Sequence, residues 1–183
     1  MTLWLVGVIA LAAVAIWLYN GLVGLRNQVR NAWAQIDVQL KRRHDLIPNL
    51  VGAVKGYMQH EREIFERVSE ARTRAMGATG AALVGQAEGQ LTQAVGRLLA
   101  VMERYPDLKA NQNVLALQEE LVSTENRIGF ARQLYNDMVA RFNTRQQVFP
   151  LNLVAGALGF QPAEFFETEA AERAVPQVDL GGR

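Results

Sequence analysis

Residues 29–54 read VRNAWAQIDVQLKRRHDLIPNLVGAV. Their apolar positions step by four and three through Val29, Trp33, Ile36, Leu40, Ile47, Leu50 and Val54, with Arg43 on the same line. A 3.5-residue period is that of a helix packed along one stripe against other helices. Pro48 falls inside the run. It has no N–H to donate, and its ring crowds the carbonyl four residues back, that of His44. The stripe nevertheless keeps its phase, which predicts a kinked but continuous helix with Pro48 as its hinge. The alternative is a true break at that position. The stripe runs on through Tyr57, Glu61, Ile64, Val68, Ala71 and Ala75, predicting one element from Leu3 to Ala75.

Upstream, LWLVGVIALAAVAIWL (3–18) is unbroken and apolar, and the first charge after it is Arg26. A bilayer core of roughly 30 Å needs about 20 helical residues. Trp4, Trp17 and Tyr19 lie near the two ends, where interfacial aromatics anchor a span. Residues 1–25 are therefore expected to be an uncleaved transmembrane anchor. A buried core helix and a cleaved signal peptide, with Ala13-Val14-Ala15 as its site, are the alternatives. A signal peptide wants a basic start, and no Lys or Arg precedes the run. Arg26, Arg30, Lys41, Arg42 and Arg43 follow it, against one acid, Asp37. The positive-inside rule predicts a single pass with the N-terminus outside and the C-terminal body in the cytoplasm. The compartment so implied is the bacterial inner membrane, with membrane lipid as a partner.

Downstream, the four glycines of MGATGAALVGQAEGQ (76–90) predict a flexible connection. No strand precedes it and no Gly-Lys-Ser/Thr follows, so it lacks the marks of a phosphate loop. A second helix is expected from about Glu88 to Tyr105, ended by Pro106. A third runs from about Asn113 to Pro150, on the stripe Leu117, Leu121, Thr124, Ile128, Ala131, Tyr135, Met138, Phe142, Arg145, Phe149. No segment alternates with period two. The expected fold is all-α: a transmembrane helix continuing into an elongated three-helix antiparallel coiled-coil-like bundle, the body covering 26–166. Among the aromatics that follow, Phe149, Phe160, Phe165 and Phe166 either pack on the bundle end or form an exposed anchor. Residues 167–183, acidic and rich in small side chains, are expected to be disordered.

The chain has 183 residues, 19 Lys plus Arg against 18 Asp plus Glu, two His and no Cys. So even a balance gives no basic face for nucleic acid. Without Cys there is neither a disulfide nor a thiolate ligand or nucleophile. HEREI begins like a zinc-protease helix, but Ile64 stands where the second His is required. His44 with Asp45, or His60 with Glu61 and Glu63, makes at best a weak metal pair. Ser69 and Ser123 lack a nucleophile-elbow context. No catalytic residue, cofactor or metal is expected, and the protein is not expected to be an enzyme.

Three ordered blocks carry a family resemblance: YNGLVGLRNQVRNAWAQIDVQLKRRHDLIPNLVGAVKGYMQHE (19–61), TENRIGFARQLYNDMVARFN (124–143) and FPLNLVAGALGF (149–160) with the FFE that follows. Over about residues 19–167 the chain resembles the LemA family. That resemblance implies a membrane helix, a helical cytoplasmic or lumenal body, and no established catalytic activity or cofactor. The family includes a relative implicated in forming magnetosome membranes. The expected function is a non-enzymatic, membrane-anchored scaffold that forms homo-oligomers and organises or remodels membrane. An adaptor holding an unidentified protease or signalling protein is the alternative. Candidate interface residues are Arg42, Arg43, Asp45, Asn126, Arg132, Tyr135 and Asn136. They are polar groups near the helical stripes, able to set the register of self-contacts.

Overall fold

The computed structural model describes residues 1–153, 155–156 and 158–166. The expectation of a disordered tail at 167–183 lies outside them. The described residues are helical, with no strand: α1 (Thr2–Val54), α2 (Arg62–Gly77), α3 (Ala81–Met102), α4 (Pro106–Lys109) and α5 (Gln112–Gln147), then a 3₁₀ turn at Leu151–Leu153. Two compact units divide the chain. One takes Met1–Arg43 with Ser123–Phe165, and the other is built on His44–Val122. Helices α1 and α5 each contribute to both.

In the first unit Val29, Ile36 and Leu40 of the stripe foreseen on α1 are buried and Trp33 is half-buried, with Leu22 and Ala32 buried as well. On α5 the buried line is Ile128, Ala131, Tyr135, Val139 and Phe142, then Gln146. Met138 is only half-buried, and Arg145 and Phe149 are exposed, which corrects the last part of the predicted stripe. A straight helix turns every 3.6 residues rather than 3.5, so a strict heptad line drifts off its face within two or three heptads. Trp33 meets Tyr135 edge-on at 5.3 Å between ring centroids, and Arg43 Nη2 lies 3.2 Å from Glu125 Oε2. Ten residues separate the contacts on both helices, so α1 and α5 run antiparallel here in one register.

In the second unit one apolar core gathers Ile47, Leu50 and Val54 of α1, Phe65 and Val68 of α2, Leu91, Val95 and Leu98 of α3, Leu108 of α4, and Val114 and Leu121 of α5. Helix α1 does pass through Pro48 unbroken. The carbonyl of His44, which Pro48 cannot bond, accepts instead from Arg72 Nε at 2.8 Å. The helix stops at Val54, not at Ala75. Residues 55–61 turn over a fully buried Met58, with Met58 N donating to Val54 O and Glu61 N to Met58 O. The single long element is therefore two helices. The turn breaks the predicted stripe: Tyr57 is exposed and Glu61 and Ile64 are half-buried, while Met58 and Phe65 are buried in their place. The stripe resumes at Val68, Ala71 and Ala75 because α2 faces the same core.

Helices α2 and α3 form a hairpin whose turn ends at Gly80, φ +88°, a backbone region that favours glycine. The expected flexible stretch is mostly helix: α3 starts at Ala81, with Gly85 and Glu88 buried inside it, and ends at Met102 rather than Tyr105. Glycine weakens a helix, but at buried positions tertiary packing overrides that propensity. Asn111 caps α5, its Oδ1 accepting from the N–H groups of Asn113 and Val114 at 3.0 and 3.3 Å.

Candidate functional site

The first stretch of α1 is long and apolar enough to cross a bilayer, and the span is not buried in the protein. Trp4, Trp17 and Tyr19 are exposed along it, and Leu22 is the first buried residue. Twenty helical residues cover about 30 Å, the thickness of a hydrocarbon core. Tyr19 meets Phe160 edge-on at 5.6 Å, and the Arg26 guanidinium stands 5.1 Å from the centre of the same ring. The residues linking α5 to Phe166 are thereby held at the place where α1 enters the fold. Phe160 also meets Phe142 at 6.4 Å. Asn143 clamps the segment at Ala163, its Nδ2 donating to the Ala163 carbonyl at 2.9 Å and its Oδ1 accepting from the Ala163 N–H at 2.8 Å. Of the four late aromatics, Phe160 and Phe166 are buried while Phe149 and Phe165 are exposed.

The candidate interface residues divide by burial. Arg42, Asp45 and Asn126 are exposed. Arg132 and Asn136 are half-buried, and neither they nor Arg42 is without a partner. Arg43 and Tyr135 are buried. The Tyr135 hydroxyl donates to the Glu164 carbonyl at 2.8 Å. Burial, and secondarily the Glu164 charge, raises the Tyr135 pKa above the usual phenol value. The folded state therefore holds that proton more tightly than the unfolded chain does. The associated stability is full below about pH 10 and is lost as pH rises from there through the folded value. Tyr135→Phe is expected to cost about 1 kcal/mol at neutral pH, for the lost hydrogen bond, and to abolish this alkaline loss. Urea unfolding at pH 8 and pH 11 on both proteins checks it.

One buried polar pair has almost no signature in the sequence. His44 Nε2 lies 2.7 Å from Glu88 Oε1, both buried in the second unit. Helical spacing places Glu88 three residues before Leu91 on the buried line of α3, and that was its only signal. The glycines around it masked the helix. Asp45, the neighbour with which His44 was paired from sequence, is exposed. His60 is exposed and beside Glu61, which accepts from Arg104 Nη2 at 3.3 Å and from the Tyr105 hydroxyl at 3.4 Å. No group of three or more His, Asp or Glu among the described residues is placed to hold a metal.

The comparisons with known proteins agree on one family. The LemA family model matches residues 32–180. The chain is 27% identical to Magnetosome protein MamQ 2 of Paramagnetospirillum magneticum, over 93% of its own length and 72% of that protein's. It is 26% identical to Magnetosome protein MamQ of Magnetospirillum gryphiswaldense, over 84% and 66%. It is also 26% identical to Protein LemA of Metamycoplasma hominis, over 84% and 71%. These names denote no catalytic activity. With a family match over most of its length and an all-helical fold that begins in an unburied apolar span, the chain belongs to the LemA family.

Proposed function

We propose that the protein is a non-enzymatic, membrane-anchored helical scaffold that self-associates and organises or remodels the bacterial inner membrane. One observation carries the reading. The unburied apolar span and the helix that frames the body are the same element, α1, so body and anchor are joined with no linker between them. Movement of the body is then transmitted to the span as movement of one helix. The basic flank, Arg26 and Arg30 with no acid before Asp37, supports a cytoplasmic body. The MamQ relatives, named as magnetosome proteins, support an organising role at a membrane. Arg42, Asp45 and Asn126, exposed and polar, are the candidate self-contacts.

Extraction of the full chain with native lipid is expected to yield assemblies several-fold heavier than one protomer by light scattering. A monomeric mass across a wide concentration range removes the scaffold and leaves an adaptor for a protein partner. A large assembly that leaves vesicle shape unchanged removes the remodelling. External protease that digests the body in intact cells reverses the orientation.

A further inference from the structure

The segment after α5 exposes large apolar side chains at the end of the first unit where the span leaves it. Phe149 is 75% exposed, Leu153 70% and Leu158 45%. These residues are not a frayed end. Leu151 and Ala155 are buried between them, Ala155 N donates to Leu151 O at 2.8 Å, and Phe160 N donates to Ala155 O at 3.0 Å. The backbone is held at these points, and Phe149, Leu153 and Leu158 are turned outward.

The register of α1 and α5 fixes the level of this surface. Tyr19 lies fourteen residues before Trp33, and Phe149 lies fourteen residues after Tyr135, the residue Trp33 touches. By this register Gln147, the last residue of α5, is level with Gly21, so Phe149, two residues on, lies near the level of Tyr19 at the inner end of the apolar span. The Tyr19–Phe160 contact holds the same segment at that level. By that register Arg145 and Arg141 come level with Val23 and Asn27, beside Arg26 and Arg30. Arg145 is thus about 6 Å farther from the span than Phe149. No acidic residue occurs in 1–36 or in 138–163. An apolar rim with a collar of three exposed arginines, Arg30, Arg141 and Arg145, just behind it matches the order of acyl chains and phosphates in a lipid leaflet. Protein partners do not impose that order relative to a membrane span.

We propose that Phe149, Leu153 and Leu158 form a second membrane contact, inserted at the headgroup–acyl boundary beside the span, with the exposed Arg30, Arg141 and Arg145 on the anionic headgroups. The proposal rests on the anchored reading of α1. Two attachments at one end hold the first unit at a set tilt, where a span alone leaves it free to rotate about its axis.

The absence of cysteine allows single labels to be placed at will. Spin labels at Leu153→Cys and Leu158→Cys are read in the full chain, reconstituted in vesicles of phosphatidylcholine with phosphatidylglycerol. Labels at Leu11→Cys in the span and at the exposed Phe130→Cys serve as references. The ratio of oxygen to nickel-chelate accessibility at 153 and 158 is expected to exceed that at 130 several-fold, as for a group about 5–10 Å into the boundary. Arg141→Glu with Arg145→Glu is expected to lower it. Labels at 153 and 158 as wet as that at 130, with Leu11 in lipid, overturn this contact and leave the anchor standing. Shielding from both reagents assigns the segment to a protein contact and also overturns it. A water-exposed label at Leu11 overturns both readings. An unchanged ratio after the double charge reversal overturns the role of the arginine collar.

Discussion

Arg43→Glu is expected to destabilise the fold by about 3–5 kcal/mol, while Arg42→Glu, one residue away, costs less than about 1 kcal/mol. The two arginines belong to one KRR run, and on sequence they look alike. Arg43 lies on the buried line of α1, its side chain 4% exposed, with Nη2 3.2 Å from Glu125 Oε2. Glu125 is nearly half exposed, so solvent screens the attraction, and the pair itself contributes modestly. The large term is the carboxylate that the substitution buries beside another carboxylate. Arg43→Leu removes the charge without adding one, and it is expected to cost far less than Arg43→Glu. Denaturant unfolding of the detergent-solubilised protein, followed by helical circular dichroism, reads all three. An unchanged midpoint for Arg43→Glu together with a lighter assembly would move Arg43 from the fold to the self-contact.

His44→Ala is the second large effect, at about 3 kcal/mol. It removes the 2.7 Å partner of Glu88 from a site where Glu88 is 4% exposed. A buried carboxyl that loses such a bond keeps its desolvation penalty and gives up part of the compensation. The backbone bond from Arg72 to the His44 carbonyl does not depend on the side chain and remains. Replacing both residues, His44→Leu with Glu88→Leu, is expected to recover most of the loss, because a buried pair exchanged for apolar volume is often nearly neutral. Unfolding midpoints of the two single variants and the double variant close a cycle. If the double variant is as unstable as the sum of the singles, the pair has no mutual energy and the cost is packing alone.

Hydrophobic period and length, which need no knowledge of partners, pointed to a helix running from the span through Pro48, with a break at Pro48 as the alternative that the fold removes. A length matching the thickness of a bilayer core likewise pointed to an unburied span, and only the fold removes the alternative of a buried core helix. Sequence alone named the carbonyl that Pro48 leaves without its helical donor. Only the folded chain supplied Arg72, twenty-eight residues away, to satisfy it. The period likewise stayed silent about the turn at 55–61, because a stripe records which side faces a core, not whether the backbone between two stripes is straight. The glycines of 76–90 read as loose because local propensity is all a sequence window holds. Burial of Val84, Glu88 and Leu91 on one side of α3 outweighs it. The level of Phe149 with Tyr19 is the same kind of fact. It depends on the register between helices distant in sequence, which is fixed by Trp33 on Tyr135 and Arg43 on Glu125. Side chains meeting across an interface set that register, and no periodicity within either helix contains it.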